Sequence, residues 1–541
     1  MSHRATLALL LTCLGCRAPD RAVGSPPITE IRRAETASDT RLIDALRAYI
    51  ATVMKAHDTP GLNLAVARRG KVIWEAGFGY ANLESRRPMT PETAFHSGSM
   101  GKTYVATAIM QLVEKGVLEL DAPINRYLNE FQVTNPLGDG PVTTRDLLTH
   151  RAGIGPNGAT SSFAKPLPLA EHLKRAFADS MLEMYDRTTV RLWTARVGQA
   201  FQYSNLGMAT LGYLIEVTNP EKLSFSDYVQ THIIDPLGMQ AARFPPIQDS
   251  LNLGAEIWSQ MSTGYTGLGR IHVPTPTIYF ADFPAGTVVS TPGQHLKLIL
   301  AYLGRGTYNG YRLLQPKTVS QMLTPQGEGF GTTSIGLTWF LFDVNRAADT
   351  TAEFANFNAI SSFGHGGAHM YGWNNEYRGY PKLDVAVAIA TNHWRLPNDA
   401  LGSETTLIED FISSWVQNDD HRPEPDTSVT SWAWKTSYVA GLLLADNLAG
   451  QLGNPDPVTE PMIDAMVAGA RASGRIPGRQ DGWDADGFRA GLHDLLKLVQ
   501  VPDSIRAFAA SDRLRVSRAE LDRIGKELGS RSIPLLAGPL Q

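Results

Sequence analysis

Ser99-Met100-Gly101-Lys102 sets an alcohol and an amine three residues apart. On a helix, positions i and i+3 share a face one turn apart, so the amine can reach the hydroxyl. A serine alcohol is a weak nucleophile until a base takes its proton, and a lysine can do so once burial or nearby charge lowers its pKa. Val105, Ile109, Leu112 and Val113 then form an apolar stripe, and Gly116 stands where a C-cap belongs, so the spacing predicts a helix that Ser99 begins. N–H groups at a helix start lack intrahelical acceptors and can hold an oxyanion. The pattern recurs at Ser162-Phe163-Ala164-Lys165, but Pro166 follows and argues against a continuing helix.

Two further groups complement the pair. Tyr203-Ser204-Asn205 offers a phenol that can shuttle a proton near an ammonium and an amide that can hold a substrate backbone. Tyr80-Ala81-Asn82 and Tyr127-Leu128-Asn129 share that pattern, so alone it selects nothing. Gly364-His365-Gly366-Gly367 follows a predicted strand, and its small residues would let a substrate lie along the strand edge. His150 is read as a hydrogen-bonding group of a loop or core rather than a catalyst. No His-Glu-x-x-His pattern occurs, and neither a metal nor a cofactor is expected.

In order and spacing, Ser99/Lys102, Tyr203/Asn205 and His365/Gly367 resemble the penicillin-recognising serine hydrolases: class C β-lactamases, D-alanyl-D-alanine carboxypeptidases, and related esterases and D-aminopeptidases. Leu120-Asp121-Ala122-Pro123 before Tyr127-Leu128, Leu147-Leu148-Thr149-His150 before Ala152-Gly153, and Pro284-Ala285-Gly286 before Ser290-Thr291 are also similar to that family. The resemblance covers about residues 40–418. It implies Ser99 as nucleophile, Lys102 or Tyr203 as the base in acylation, and Tyr203 as donor to the leaving group. It further implies an oxyanion hole from the N–H groups of Ser99 and Ala368, with Asn205, His365 and Gly367 binding substrate. Many family members carry lysine where His365 stands. A histidine of ordinary pKa near ~6.5 would give a carboxylate-bearing substrate only partial, pH-dependent help, which favours ester or D-peptide hydrolysis over β-lactam hydrolysis. The expected function is a serine hydrolase acting through an acyl-enzyme on amide or ester bonds of a small-molecule, peptide or ester substrate. The alternative is a β-lactam- or peptide-binding sensor that acylates without turning over.

The elements that must position these residues are legible in outline. Leu42, Leu46, Ile50, Val53 and Met54 recur at helical spacing. Leu62 to Val66 and Val72 to Trp74 flank an Arg68-Arg69-Gly70 turn and predict a hairpin. Ile335 to Phe342, Ser361 to Gly364 and Val385 to Ala390 read as strands, and Thr406 to Trp415 as a closing helix. Between about Gly98 and Leu323, amphipathic helices alternate with Gly/Pro/Asn loops. The expected fold is α/β (α+β): a β-lactamase/transpeptidase-like antiparallel sheet flanked by helices, with an inserted helical lobe.

Composition bounds the rest. The 541 residues are 43% hydrophobic, with 49 basic against 53 acidic side chains and a net charge of −4. That size and apolar content exclude a disordered chain and suggest two or three units, and the charge balance excludes a nucleic-acid-binding surface. Both cysteines, Cys13 and Cys16, lie in residues 1–16, which read as an export signal: His3 and Arg4, then an apolar run from Ala5 to Gly15. Cys16 after Gly15 is similar to a bacterial lipoprotein cleavage and lipidation site, although Cys13 stands where that site usually has leucine. A plain cleaved signal is the other reading. The expected location is periplasmic or lipid-anchored, with no other membrane contact. Residues 17–39 read as a linker, 40–418 as the hydrolase domain, and 418–427 as a polar boundary. Residues 428–541 read as a mainly helical accessory domain dispensable for the chemistry, and its Asp484 to Gly487 run does not fit a calcium loop.

Overall fold

Arg69 and Gly70, with φ of 52° and 72°, turn the chain back on itself, the two-residue geometry that matches the twist of a hairpin. The computed structural model describes residues 26–417 apart from 139, 156–160, 163–165, 179–180, 184–188, 248–249, 269–270, 276–278, 332, 345–356, 358, 370–371 and 397–403. Cys16, the export segment and the accessory domain at 428–541 lie outside the described residues.

Strands β1 (Ile28–Arg32), β2 (Gly61–Arg68) and β3 (Lys71–Asn82) come from the N-terminal side of the chain. Strands β4 (Phe340–Phe342), β5 (Ser362–His369), β6 (Trp373–Tyr380) and β7 (Val385–Thr391) come from far downstream. They join in one antiparallel sheet ordered β1-β3-β2-β7-β6-β5-β4, extended past β4 by Ser334–Ile335 and Gly327–Glu328. Side chains alternate across it. Leu62, Leu64 and Val66 of β2 pack with Leu42, Leu46 and Ile50 of helix α1 (Ala37–His57) and with Ile408 and Ile412 of a C-terminal helix, Glu404–Gln417. Ala65 and Ala67 of β2, with Ala386 and Ala388 of β7, face the other core. There small side chains admit helices α2 (Gly101–Glu114), α3 (Asn205–Thr218) and α4 (Pro292–Leu303). The expected α/β (α+β) architecture with an inserted helical lobe is therefore the one observed. Among the described residues no helix is long and apolar enough to cross a membrane.

Two expectations are corrected, and one strand went unread. The linker at 17–39 is not all linker: β1 pairs with β3 from Ile28↔Phe78 to Arg32↔Trp74, because the open edge of β3 supplies partners that no local pattern announces. Thr36 also caps α1 through a reciprocal box with Asp39, so that helix begins at Ala37. Ile335 to Phe342 is not one strand. Thr338, at φ 74°, turns the chain between two short strands and donates its hydroxyl to the Leu148 carbonyl at 3.0 Å. Strand β6 had no counterpart in the sequence reading, because Trp-Asn-Asn-Glu-Tyr-Arg-Gly-Tyr looks polar. Its polar groups find partners that the strand pattern does not show: Asn375 Nδ2 donates to His96 O at 2.9 Å and Gly367 O at 3.1 Å, and Arg378 pairs with Glu376 of the same strand and with distant Glu409.

That last group fastens the closing helix to the sheet. Glu409, whose side chain is 1% exposed, also accepts from Tyr380 Oη at 3.1 Å. Removing one partner of a buried ion pair strands the other charge, so Glu409→Ala should destabilise the protein by about 3 kcal/mol. Glu409→Gln, which keeps an acceptor for Tyr380, should lose less. Urea denaturation followed by tryptophan fluorescence checks the order.

Candidate active site

Gly98, at φ 56°, sends the chain into a single 3-10 turn, Gly98–Met100, that runs straight into α2. Ser99 is half-buried in that turn and Lys102 is fully buried in the first turn of the helix. The three-residue spacing brings the two together: Lys102 Nζ lies 2.9 Å from Ser99 Oγ and donates to the Ala285 carbonyl at 2.8 Å. Burial brings the Lys102 amine down to about 7, against the opposing pull of the Asp282 carboxylate. An amine of that pKa is substantially neutral at neutral pH and can accept a proton.

Tyr203 precedes α3, whose first turn is capped by Ser204 Oγ accepting from Gly207 N at 3.0 Å. The Tyr203 ring stands 4.8 Å from Lys102 Nζ, centroid to nitrogen. Burial pushes its phenol well up, and a hydrogen bond with Ser99 only partly offsets that. Tyr203 is thus a protonated phenol held at the serine. Asn205 opens α3 and its buried Oδ1 has no hydrogen-bond partner among the described residues. His150 behaves as the sequence reading had it: buried, with Nδ1 accepting from Ser204 N at 3.2 Å. Its ring lies 4.5 Å from that of Tyr203 and thereby supports it.

Strand β5 forms the opposite edge. A Cβ on Gly367 would stand 1.9 Å from Ser97 O, and one on Gly98 would stand 2.7 Å from Ala368 O and 2.9 Å from Ala368 N. Only glycine at both places lets the two main chains meet, which brings Ser99 and Ala368 to one edge of the site. His365 departs from expectation. It is 3% exposed, its Nδ1 donates to Gly366 O at 2.5 Å, and its Nε2 has no partner among the described residues. Burial, aided by Lys102, lowers it to about 3. It is therefore neutral throughout the working range, and the partial charge expected of an ordinary histidine is absent.

Two features escaped the sequence reading. Beneath the Ser99 turn, Tyr104 Oη meets His295 Nδ1 at 2.8 Å and His295 Nε2 meets Ser97 Oγ at 2.6 Å, a buried chain that fixes the backbone entering the turn. Beside Tyr203, Phe201, Phe330 and Phe340 form an aromatic wall. Both join residues far apart in sequence. A histidine beside the apolar run of α4 was the available hint. Among the described residues no cluster of His, Cys, Asp and Glu could hold a metal ion.

An antiparallel sheet with a Ser-x-x-Lys helix docked against one of its strands defines a protein of the penicillin-recognising type. The profile of the family described as Beta-lactamase matches residues 46–408, and the chain belongs to that family. Esterase EstB of Burkholderia gladioli is 34% identical over 207 residues, 37% of this chain and 50% of the esterase. The mitochondrial serine beta-lactamase-like protein LACTB of Bos taurus is 37% identical over 115 residues, 21% of each chain. The alignments thus span half or less of these curated relatives. A class C beta lactamase from Rhodobacter sphaeroides shares the fold, with a TM-score of 0.51 at 21% identity over 68% of this chain and 98% of that one.

A base that must be neutral to act makes activity rise as it loses its proton. With Lys102 near 7, kcat/KM for a neutral ester should climb through pH 7 and level off, standing about tenfold below its plateau at pH 6. The midpoint should survive His365→Asn, because His365 does not titrate in that range. A stopped-assay pH series on both proteins checks this.

Proposed function

We propose that this protein is a serine hydrolase that works through an acyl-enzyme on Ser99. Lys102 takes the Ser99 proton as Oγ bonds to the substrate carbonyl carbon, and the N–H groups of Ser99 and Ala368 hold the resulting oxyanion. As the intermediate collapses, the bond to the leaving group breaks and the Tyr203 phenol gives that group a proton; the Lys102 ammonium then restores it. Water attacks the acyl-enzyme with the same groups acting in reverse. Asn205, His365 and Gly367 hold the acyl portion along the β5 edge.

The observation that carries this reading is the buried Lys102 amine, 2.9 Å from Ser99 Oγ and lowered to about 7. It also favours Lys102 over Tyr203 as the acylation base, since the phenol is pushed the other way. The neutral His365 supports neutral esters or amides over carboxylate-bearing β-lactams, because no permanent charge stands at that position. The export signal read at residues 1–16 supports action outside the cytoplasm, with Cys16 as the lipidated residue.

A fluorophosphonate should add one label, located on Ser99 by peptide mass spectrometry and absent in Ser99→Ala. With p-nitrophenyl acetate, product should continue past the first equivalent. A missing adduct contradicts the assignment of Ser99, and release that stops at one equivalent supports the sensor instead.

A further inference from the structure

The aromatic wall beside Tyr203 has no part in proton transfer, yet it borders the reacting atoms. Phe330 is a large apolar side chain left 46% exposed. Its ring centroid lies 5.2 Å from that of Tyr203, 5.1 Å from Phe201 and 5.6 Å from Phe340. Phe340 in turn lies 4.9 Å from His365, so the apolar surface runs from the phenol to the substrate-binding strand.

The wall is held in place. Gly329 N donates to Thr333 O at 2.9 Å, and Thr333 closes the same turn onto Phe330 O through both its N–H and its hydroxyl, at 3.0 and 2.8 Å. Arg151 donates to Glu328 O at 3.3 Å and lies against Gly327, where a Cβ would stand 2.2 Å from its guanidinium. Phe330 is thus presented by an anchored hairpin rather than by a free loop.

Its position relative to the chemistry says which part of a substrate it meets. The atom that Tyr203 protonates belongs to the leaving group, so the substituent on that atom emerges beside Tyr203, where the next surface is the Phe330 ring. Opposite charges flank that surface, the Arg151 guanidinium that donates to the hairpin backbone and Glu328 exposed on the same hairpin, while Lys102 is buried at the serine and His365 is neutral. We infer that Phe330, with Phe201 and Phe340, forms a leaving-group subsite for uncharged aromatic alcohols or amines. The inference rests on the serine-hydrolase reading and adds the substrate class to it. An aromatic leaving group stacked there covers Phe330 and stays in contact as the bond breaks, so the gain falls in kcat/KM.

The test uses acetate esters of ethanol, benzyl alcohol and 4-(hydroxymethyl)benzoic acid, whose alcohols are similar in acidity, and methyl phenylacetate, which carries its ring on the acyl side. The wild-type protein should prefer benzyl acetate to both other acetates. Phe330→Ala, a change at a half-exposed position, should lower kcat/KM for benzyl acetate about tenfold and for ethyl acetate less than about twofold, and Phe330→Tyr should restore most of the loss. Equal losses on benzyl and ethyl acetate, or a selective loss on methyl phenylacetate, would overturn the subsite while leaving the hydrolase reading intact. No turnover of any ester, together with no fluorophosphonate adduct on Ser99, would overturn both.

Discussion

The site depends on keeping a lysine amine out of water. A charged ammonium in a dry interior loses its hydration, and the interior lowers its pKa until the neutral form is competitive. Lys102 is fully buried and falls to about 7, from about 10.4 in an open chain. The sign of the linkage follows. Between those two values the unfolded chain binds the extra proton, so this residue's cost to folding is complete below about 7 and fades as pH rises toward 10.4. Folding bears that cost because the fold supplies the rest: the α2 start, the Ala285 carbonyl that fixes the amine, and the Asp282 carboxylate that keeps the shift moderate.

Burying the lysine beside a reachable serine requires two main chains to approach more closely than side chains allow. Gly98 and Gly367 meet this need directly, and Gly286 adds a milder one, where a Cβ would lie 3.3 Å from Gly98 C. The sheet behind them explains why strands from opposite ends of the chain are joined at its centre. The β2–β7 pairing carries β6 and β5 across to the α2 start. Thr103 and Tyr377 tie α2 to β6 by a hydroxyl contact, so the helix holding Lys102 and the strands carrying β5 form a single frame.

Much of this could be read from the sequence where the signal is local. The Arg69-Gly70 hairpin follows from turn chemistry, and α2 from its apolar stripe together with Gly116 at φ 70°. The pairing of Ser99 with Lys102 follows from helical spacing. What could not be read depends on partners brought in from elsewhere. Strand β6 hides polar groups whose acceptors are His96 and Gly367, β1 takes its register from β3, and Phe330 reaches Tyr203 only after the sheet forms. The state of His365 belongs with these: its identity was plain, but its burial and the nearby Lys102 were not.

The central claim is that Lys102 is the base because the fold has lowered its pKa, and direct titration tests it. In protein carrying lysine isotope-labelled at the ε carbon, one NMR resonance should titrate with a midpoint near 7 and vanish in Lys102→Met. If no lysine resonance lost in Lys102→Met titrates near 7, and the one that is lost stays charged well above it, Lys102 is an ammonium at neutral pH and cannot take the Ser99 proton.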